Sequence, residues 1–187
     1  MPTLAGSAPR PGAPKRLTFL KDLVSDPHIE VGDYTYYNNF DFPCSFPQNV
    51  LVEQPGNQAR LRIGRFCMIA SGVKFMLSGG SQTSHPSAAH GILVGHDVWI
   101  GYQAQIMPGV RIGNGAIVAT KSVVTQDVPP FAVVAGNPAT VVHQRFPPAL
   151  AARLQQLAWW NWSPAKLARH RRAIHARNLE YLVQTAA

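Results

Sequence analysis

A chain of 187 residues with 46% hydrophobic content can bury one sizeable core but is short for two domains. Its longest apolar runs fall well short of the roughly 20 residues that cross a bilayer, and no stretch has the apolar centre of a secretory signal. The expectation is a soluble, cytoplasmic protein with no membrane partner, in which Cys44 and Cys67 are small thiols rather than a disulfide.

Residues 1–16 (MPTLAGSAPRPGAPKR) mix Pro, Gly, Ala and basic residues without apolar periodicity, the composition of a disordered basic start. The net charge of +8 is largely terminal. Arg10, Lys15, Arg16 and Lys21 stand in or just after this stretch, and Lys166, Arg169, Arg171, Arg172 and Arg177 lie near the other end. A basic chain invites a nucleic-acid reading, but charges on a predicted helix are more simply a solvated face. No nucleic-acid partner is therefore assigned. Residues 17–60 contain IEVGDYTYYNNFDFPCSF, where β-branched and aromatic residues broken by turn formers suggest short strands.

From Val94 an aliphatic residue recurs every six positions, at Val94, Ile100, Ile106, Ile112, Val118 and Val124. Four places after each stands a small or β-branched residue: Val98, Ala104, Val110, Ala116, Ser122 and Val128. Gly follows the aliphatic position at Gly95, Gly101 and Gly113. The same register appears earlier at Ile63, Ile69 and Phe75, and more faintly at Val31 and Tyr37. Neither a helix nor a simple alternating strand repeats every six residues, whereas one flat face of a triangular solenoid does. Each hexad is then a short strand and a turn, with the aliphatic residue pointing inward. The glycines are expected to supply backbone angles closed to other residues. The 19-residue interval from Phe75 to Val94 is not a multiple of six, so a short loop over 76–93 must leave the solenoid.

After the repeats, FAVVAGNPATVVHQRF suggests a closing strand or turn. Pro147 and Pro148 suit a helix start, and Leu150, Leu154, Leu157 and the tryptophans follow at helical spacing. A second helix is expected from about Ser163, with a Ser cap and Pro164 at its first position. The resulting fold class is an all-β left-handed parallel β-helix with C-terminal α-helices. Its divisions are a start over 1–16, a solenoid over 17–146 and a helical tail over 147–187.

VGDYTYY (31–37), IGRFCMIASGVKFM (63–76), VGHDVWIG (94–101), IMPGVRIGNGAIVAT (106–120), VVAGNPA (133–139), QRF (144–146) and WWNW (159–162) together resemble the xenobiotic acetyltransferases of the hexapeptide-repeat superfamily. This group includes the type B chloramphenicol and streptogramin acetyltransferases. The resemblance implies a homotrimer that carries acetyl-CoA along the solenoid and transfers its acetyl group to a hydroxyl of a small molecule. It also implies a histidine on the excursion loop that removes the hydroxyl proton. Imidazole titrates near working pH, so that chemistry is reasonable.

This chain departs from the pattern in that loop. The sequence reads FMLSGGSQTSHPSAAHGILVGHDVW, with Gln82 about where the histidine is expected. His85 is the first candidate for the base and His90 the second; the alternative is a CoA-binding protein whose catalysis is weakened or lost. His96, inside a hexad turn, reads as a corner residue, and His143 falls nearer the expected cofactor tail. Three histidines could in principle hold zinc in this superfamily, but the GNPA and WWNW phrases resemble the acetyltransferases, so no metal is assigned. Ala119, Thr120, Lys121, Asn137, Pro138 and Arg145 match the family's cofactor-binding turns, and Tyr36 and Tyr37 its acceptor-flanking aromatic pair.

Overall fold

The computed structural model describes residues 17–39, 46–51, 59–77, 91–175 and 178–185. They fall into two compact units, residues 15–145 and the helical residues 146–187.

The hexads form strands of two or three residues. After β1 (Leu17–Phe19) come β2 (Ile29–Val31), β3 (Tyr36–Asn38) and β4 (Val50–Leu51), then β5 (Leu61–Ile63), β6 (Met68–Ala70) and β7 (Lys74–Met76). The series continues with β8 (Ile92–Val94), β9 (Trp99–Ile100) and β10 (Gln105–Ile106), and with β11 (Arg111–Ile112), β12 (Ile117–Val118) and β13 (Val123–Val124). The chain visits three parallel sheets in strict rotation. β2, β5, β8 and β11 form a first face; β3, β6, β9 and β12 a second; β4, β7, β10 and β13 a third. β1 adds antiparallel to β3 at one end of the second face. At the other end β14 (Ala132–Gly136) pairs parallel with β12, then folds back as a hairpin on β15 (Ala139–Gln144).

Strands this short cannot stand alone, and the core inside the three faces holds them. Val94, Ile100, Ile106, Ile112, Val118 and Val124 are all 2% exposed or less. Their partners four places on are buried too: Val98, Ala104, Val110, Ala116, Ser122 and Val128. Ser122 is the polar member of that row, and its Oγ accepts from the Gly136 N–H at 3.3 Å, which ties the closing hairpin to the last repeat. Because one sheet buries only one side of each strand, residues next to the inward positions point outward.

The turn glycines have a different cause from the one the sequence suggests. Gly64, Gly95, Gly101 and Gly113 are not among the glycines with positive φ. A Cβ on Gly64 would meet the Gly95 carbonyl group, 2.6 Å from its carbon, and one on Gly101 would lie 2.7 Å from the Thr120 nitrogen. Successive coils stack about 4.8 Å apart, and at these corners the backbones leave no room for a side chain. The left-handed angles fall two residues later, on Phe66 (φ 62°), Asp97 (55°), Gln103 (55°) and Gly115 (68°), and on Lys121 (58°) two residues after Ala119.

The corner between the first and second faces is stapled through side chains. Cys67 is a fully buried free thiol, with Sγ 3.1 Å from the Gly95 carbonyl and a pKa pushed up to about 12 by burial. Cys44 lies outside the described residues. His96 Nδ1 accepts the Arg65 N–H at 2.9 Å, and Asn114 Oδ1 accepts the His96 N–H at 2.8 Å. Burial, and to a smaller degree the charge of Arg65, hold the imidazole pKa below its ordinary value.

In the helical unit, α1 (Pro148–Leu157) starts at the two prolines as expected and ends at Ala158 in the left-handed conformation. The tryptophans then form a separate 3-10 turn, with Trp159 and Trp160 in edge contact at 6.0 Å. Ser163 caps α2 (Pro164–Arg169), its Oγ accepting from the Lys166 N–H. The single second helix expected from the sequence is three: α2, α3 (Arg171–His175) and α4 (Leu179–Thr185). Asn178 supplies one cause of the break, its Oδ1 taking the Tyr181 N–H and starting α4 afresh. Arg169, Arg171 and Arg172 are exposed, while the Lys166 ammonium lies 4.3 Å from the Trp162 ring centre. No described helix is long and apolar enough to cross a membrane.

Candidate active site

A groove of about 630 Å³ runs along the corner between the second and third faces. Its floor is laid by register. Lys74, Gln105 and Val123 are aligned on β7, β10 and β13, each one residue before an inward core residue, and so all three point out from the third face. The corner turns add Ser71, Gly72, Gln103 and Lys121; Tyr37, Asn39, Asn49 and Asn137 complete the wall. Two of these described lining residues are lysines and none is acidic, so the groove favours an anion.

Three of the candidates read from the sequence meet here: Tyr37, Lys121 and Asn137. Ala119 and Thr120 belong to the same turn as Lys121, and Pro138 is exposed beside Asn137 in the hairpin turn. The remaining candidates separate. Tyr36 and Tyr37 are neighbours on a strand and face opposite ways, so they cannot flank one ligand as a pair. The Tyr37 ring is core, 2% exposed and edge-on to Phe46 at 5.6 Å; its hydroxyl accepts from Asn49 Nδ2 at 3.2 Å. Arg145 lies at the corner between the first and second faces, where Nη1 donates to the Gly115 carbonyl and stands 3.6 Å from Asp97. Its side chain is 12% exposed, which makes it a fastener of that corner. His143 is exposed on β15, paired across the hairpin with Val133. His85 and His90, with Gln82, lie outside the described residues, on the segment between Leu77 after β7 and Gly91 before β8. No group of three His, Cys, Asp or Glu that could hold a metal occurs among the described residues.

Sequence reasoning passed over Asn39, Asn49, Ser71, Lys74, Gln103 and Gln105. For Lys74 and Gln105 the signal was present: each stands immediately before an inward hexad position, where alternation turns it outward.

Short parallel strands rotating among three faces, with a cationic groove along one edge, define a repeat-built scaffold rather than a nucleotide fold with a central sheet. Residues 91–126 match the family model described as bacterial transferase hexapeptide (six repeats). A chloramphenicol acetyltransferase of Klebsiella aerogenes is 34% identical over 180 residues, covering 83% of this chain and 86% of that protein. One from Agrobacterium fabrum is 36% identical over 179 residues with the same coverage. A hexapeptide-repeat acetyltransferase of Vibrio cholerae, solved in complex with acetyl coenzyme A, superposes with a TM-score of 0.50 at 32% identity over 65% of this chain; the chain spans 62% of that protein's length. The chain belongs to the hexapeptide-repeat acetyltransferases, and it is an acyltransferase.

Proposed function

We propose that this acetyltransferase works in the cytoplasm as an acetyl-CoA-dependent O-acetyltransferase, modifying a hydroxyl of a small molecule: a xenobiotic such as chloramphenicol or a streptogramin, or a related alcohol. The observation that carries the reading is the groove, where Lys121, Asn137 and the Tyr37 hydroxyl share one cavity along the coil axis. Acetyl-CoA suits it. The cofactor needs cations and peptide N–H groups for its phosphates and a narrow track for its pantetheine arm. Lys121 offers the first and the corner with Gly72 and Ser71 the third; in the turn Ala119–Thr120–Lys121 the Ala119 and Lys121 N–H groups are engaged by the Val134 and Tyr102 carbonyls, so the second falls to Thr120.

The reaction needs no covalent enzyme intermediate. A base takes the acceptor's hydroxyl proton as its oxygen attacks the thioester carbonyl; the tetrahedral adduct then collapses, expelling the CoA thiolate and leaving an acetyl ester. We assign the base to His85, with His90 as the alternative.

The same reading includes a left-handed coil and a homotrimer. In support of the trimer, Phe19, Tyr36, Met68, Trp99, Ile117 and Val133 align in one row across the outside of the second face. Phe19 and Trp99 are 44% and 39% exposed. A large apolar row of this kind is commonly covered by another subunit, and a second copy there would stand beside the groove's edge. The test is acetyl-CoA-dependent release of CoA thiol with chloramphenicol, a streptogramin and a sugar alcohol as acceptors. Release with formation of an acetyl ester supports the reading; silence across the panel together with no acetyl-CoA binding refutes it.

A further inference from the structure

Lys121 and Asn137 mark one end of the groove. Lys74 lies two strands away, across Gln105, which at about 4.8 Å per strand is roughly 10 Å along the coil axis. Its ammonium is held in place, Nζ donating to Asn49 Oδ1 at 2.9 Å and to the Gln48 carbonyl at 3.4 Å. Asn49 is 2% exposed, and its other amide atom, Nδ2, donates to the Tyr37 hydroxyl oxygen at 3.2 Å.

This chain of bonds has one polarity. An ammonium only donates, so Asn49 must turn its oxygen to Lys74 and its NH2 to Tyr37, whose oxygen then accepts. Lys74 keeps an N–H beyond these two bonds, and Tyr37 keeps its own O–H. Both are donors at the groove wall, one of them charged, and no Asp or Glu stands among the described lining residues. Two fixed donors, one of them an ammonium, with no carboxylate among the described lining residues, suit a group that only accepts.

We propose that Lys74 and the Tyr37 hydroxyl form an anion subsite at the acceptor end of the groove, so that the acceptor is a hydroxyl compound carrying a carboxylate or phosphate. This rests on the reading that acetyl-CoA occupies the Lys121 end. Asn49 is the positioning residue that fixes both donors. Val123 is the one aliphatic side chain longer than alanine among the described lining residues.

The probes are two matched pairs: glucose 6-phosphate against glucose, and glucuronate against its methyl ester. Each is titrated calorimetrically into the CoA-saturated protein, so that the readout does not depend on turnover. The wild type should bind the anionic member of each pair about tenfold more tightly, the order expected of a charge-assisted contact in a half-open site. Lys74→Gln should bring that ratio to within about twofold. Lys74→Arg, which keeps the charge, should retain most of it and shows that the site still folds. CoA affinity should be the same in all three proteins. The proposal is overturned by the absence of a charge preference in the wild type, by a preference that survives Lys74→Gln, or by a loss of CoA affinity in Lys74→Gln as large as the loss of anion affinity, which would assign the cation to the cofactor. Acetylation of neutral alcohols with no charge preference would remove this subsite while leaving the O-acetyltransferase reading intact. A charge preference without acetyl transfer to any alcohol would do the reverse.

Discussion

Replacing Gly64 by Ala tests why glycine stands at the coil corners. The added Cβ would sit 2.6 Å from the Gly95 carbonyl carbon, and the Arg65–His96 bond beside it pins the two coils at that height. Overpacking typically costs about 1–3 kcal/mol. Here the atoms struck are backbone and cannot rotate aside, so the upper end applies, about 3 kcal/mol. For a chain of this size each kcal/mol moves the melting temperature by about 2–4 °C, giving a fall of about 6–12 °C. Urea unfolding followed by far-ultraviolet circular dichroism should show a lower midpoint at unchanged slope. Without that close approach of the Gly95 backbone the outcome would invert. The angle at Gly64 is not left-handed, and an alanine there would restrict the unfolded chain and stabilise by about 0.4–1 kcal/mol. An unchanged or raised midpoint would refute the stacking argument.

Arg145→Ala should destabilise by about 1–3 kcal/mol, since it removes the bond to the Gly115 carbonyl and the ion pair with Asp97, with the acetyl-CoA KM unmoved; a raised KM at unchanged stability would return Arg145 to the cofactor. Trp99→Glu, at the middle of the apolar row, should convert a trimer to monomers in light scattering, and a persistent trimer would place the interface elsewhere. The folded pKa of His96 is depressed below its ordinary 6.5. Below that pH the unfolded chain takes up a proton that the folded chain resists, so the contribution of His96 is full above about pH 6.5 and is lost as pH falls. His96→Asn should flatten that part of the stability curve between pH 7.5 and 5.5; equal slopes in both proteins would contradict it. His85→Ala should lower turnover by about two to four orders of magnitude with little change in acetyl-CoA affinity, whereas equal mild losses in His85→Ala and His90→Ala would leave His85 no special role.

The inward hexad rows were legible because burial enforces them: from Val94 to Val128 each inward position is aliphatic or small, and each is buried. The purpose of the glycines was not legible, because what excludes a Cβ at Gly64 is a carbonyl 31 residues away. Matching motif positions brought Lys121 and Asn137 to the groove but also selected Arg145, whose partners Gly115 and Asp97 lie in other coils and give no local sign. Lys74 was missed for the opposite reason. Its outward position follows from simple alternation, but the polar contact that gives it a role comes from Asn49, on a different coil. The helical unit shows the same limit, since an unbroken helical pattern from Ser163 hid the restart at Asn178.

The central claim is that acetyl-CoA lies in the groove at the second corner, and Lys121→Ala tests it most directly. Lys121 is exposed at the groove's edge, so loss of its charge removes a contact made equally with the bound cofactor and in the transition state. The predicted result is a rise in the acetyl-CoA KM on the order of tenfold with kcat held within about twofold. An unchanged KM, or a collapse of kcat at unchanged cofactor affinity, would contradict the placement.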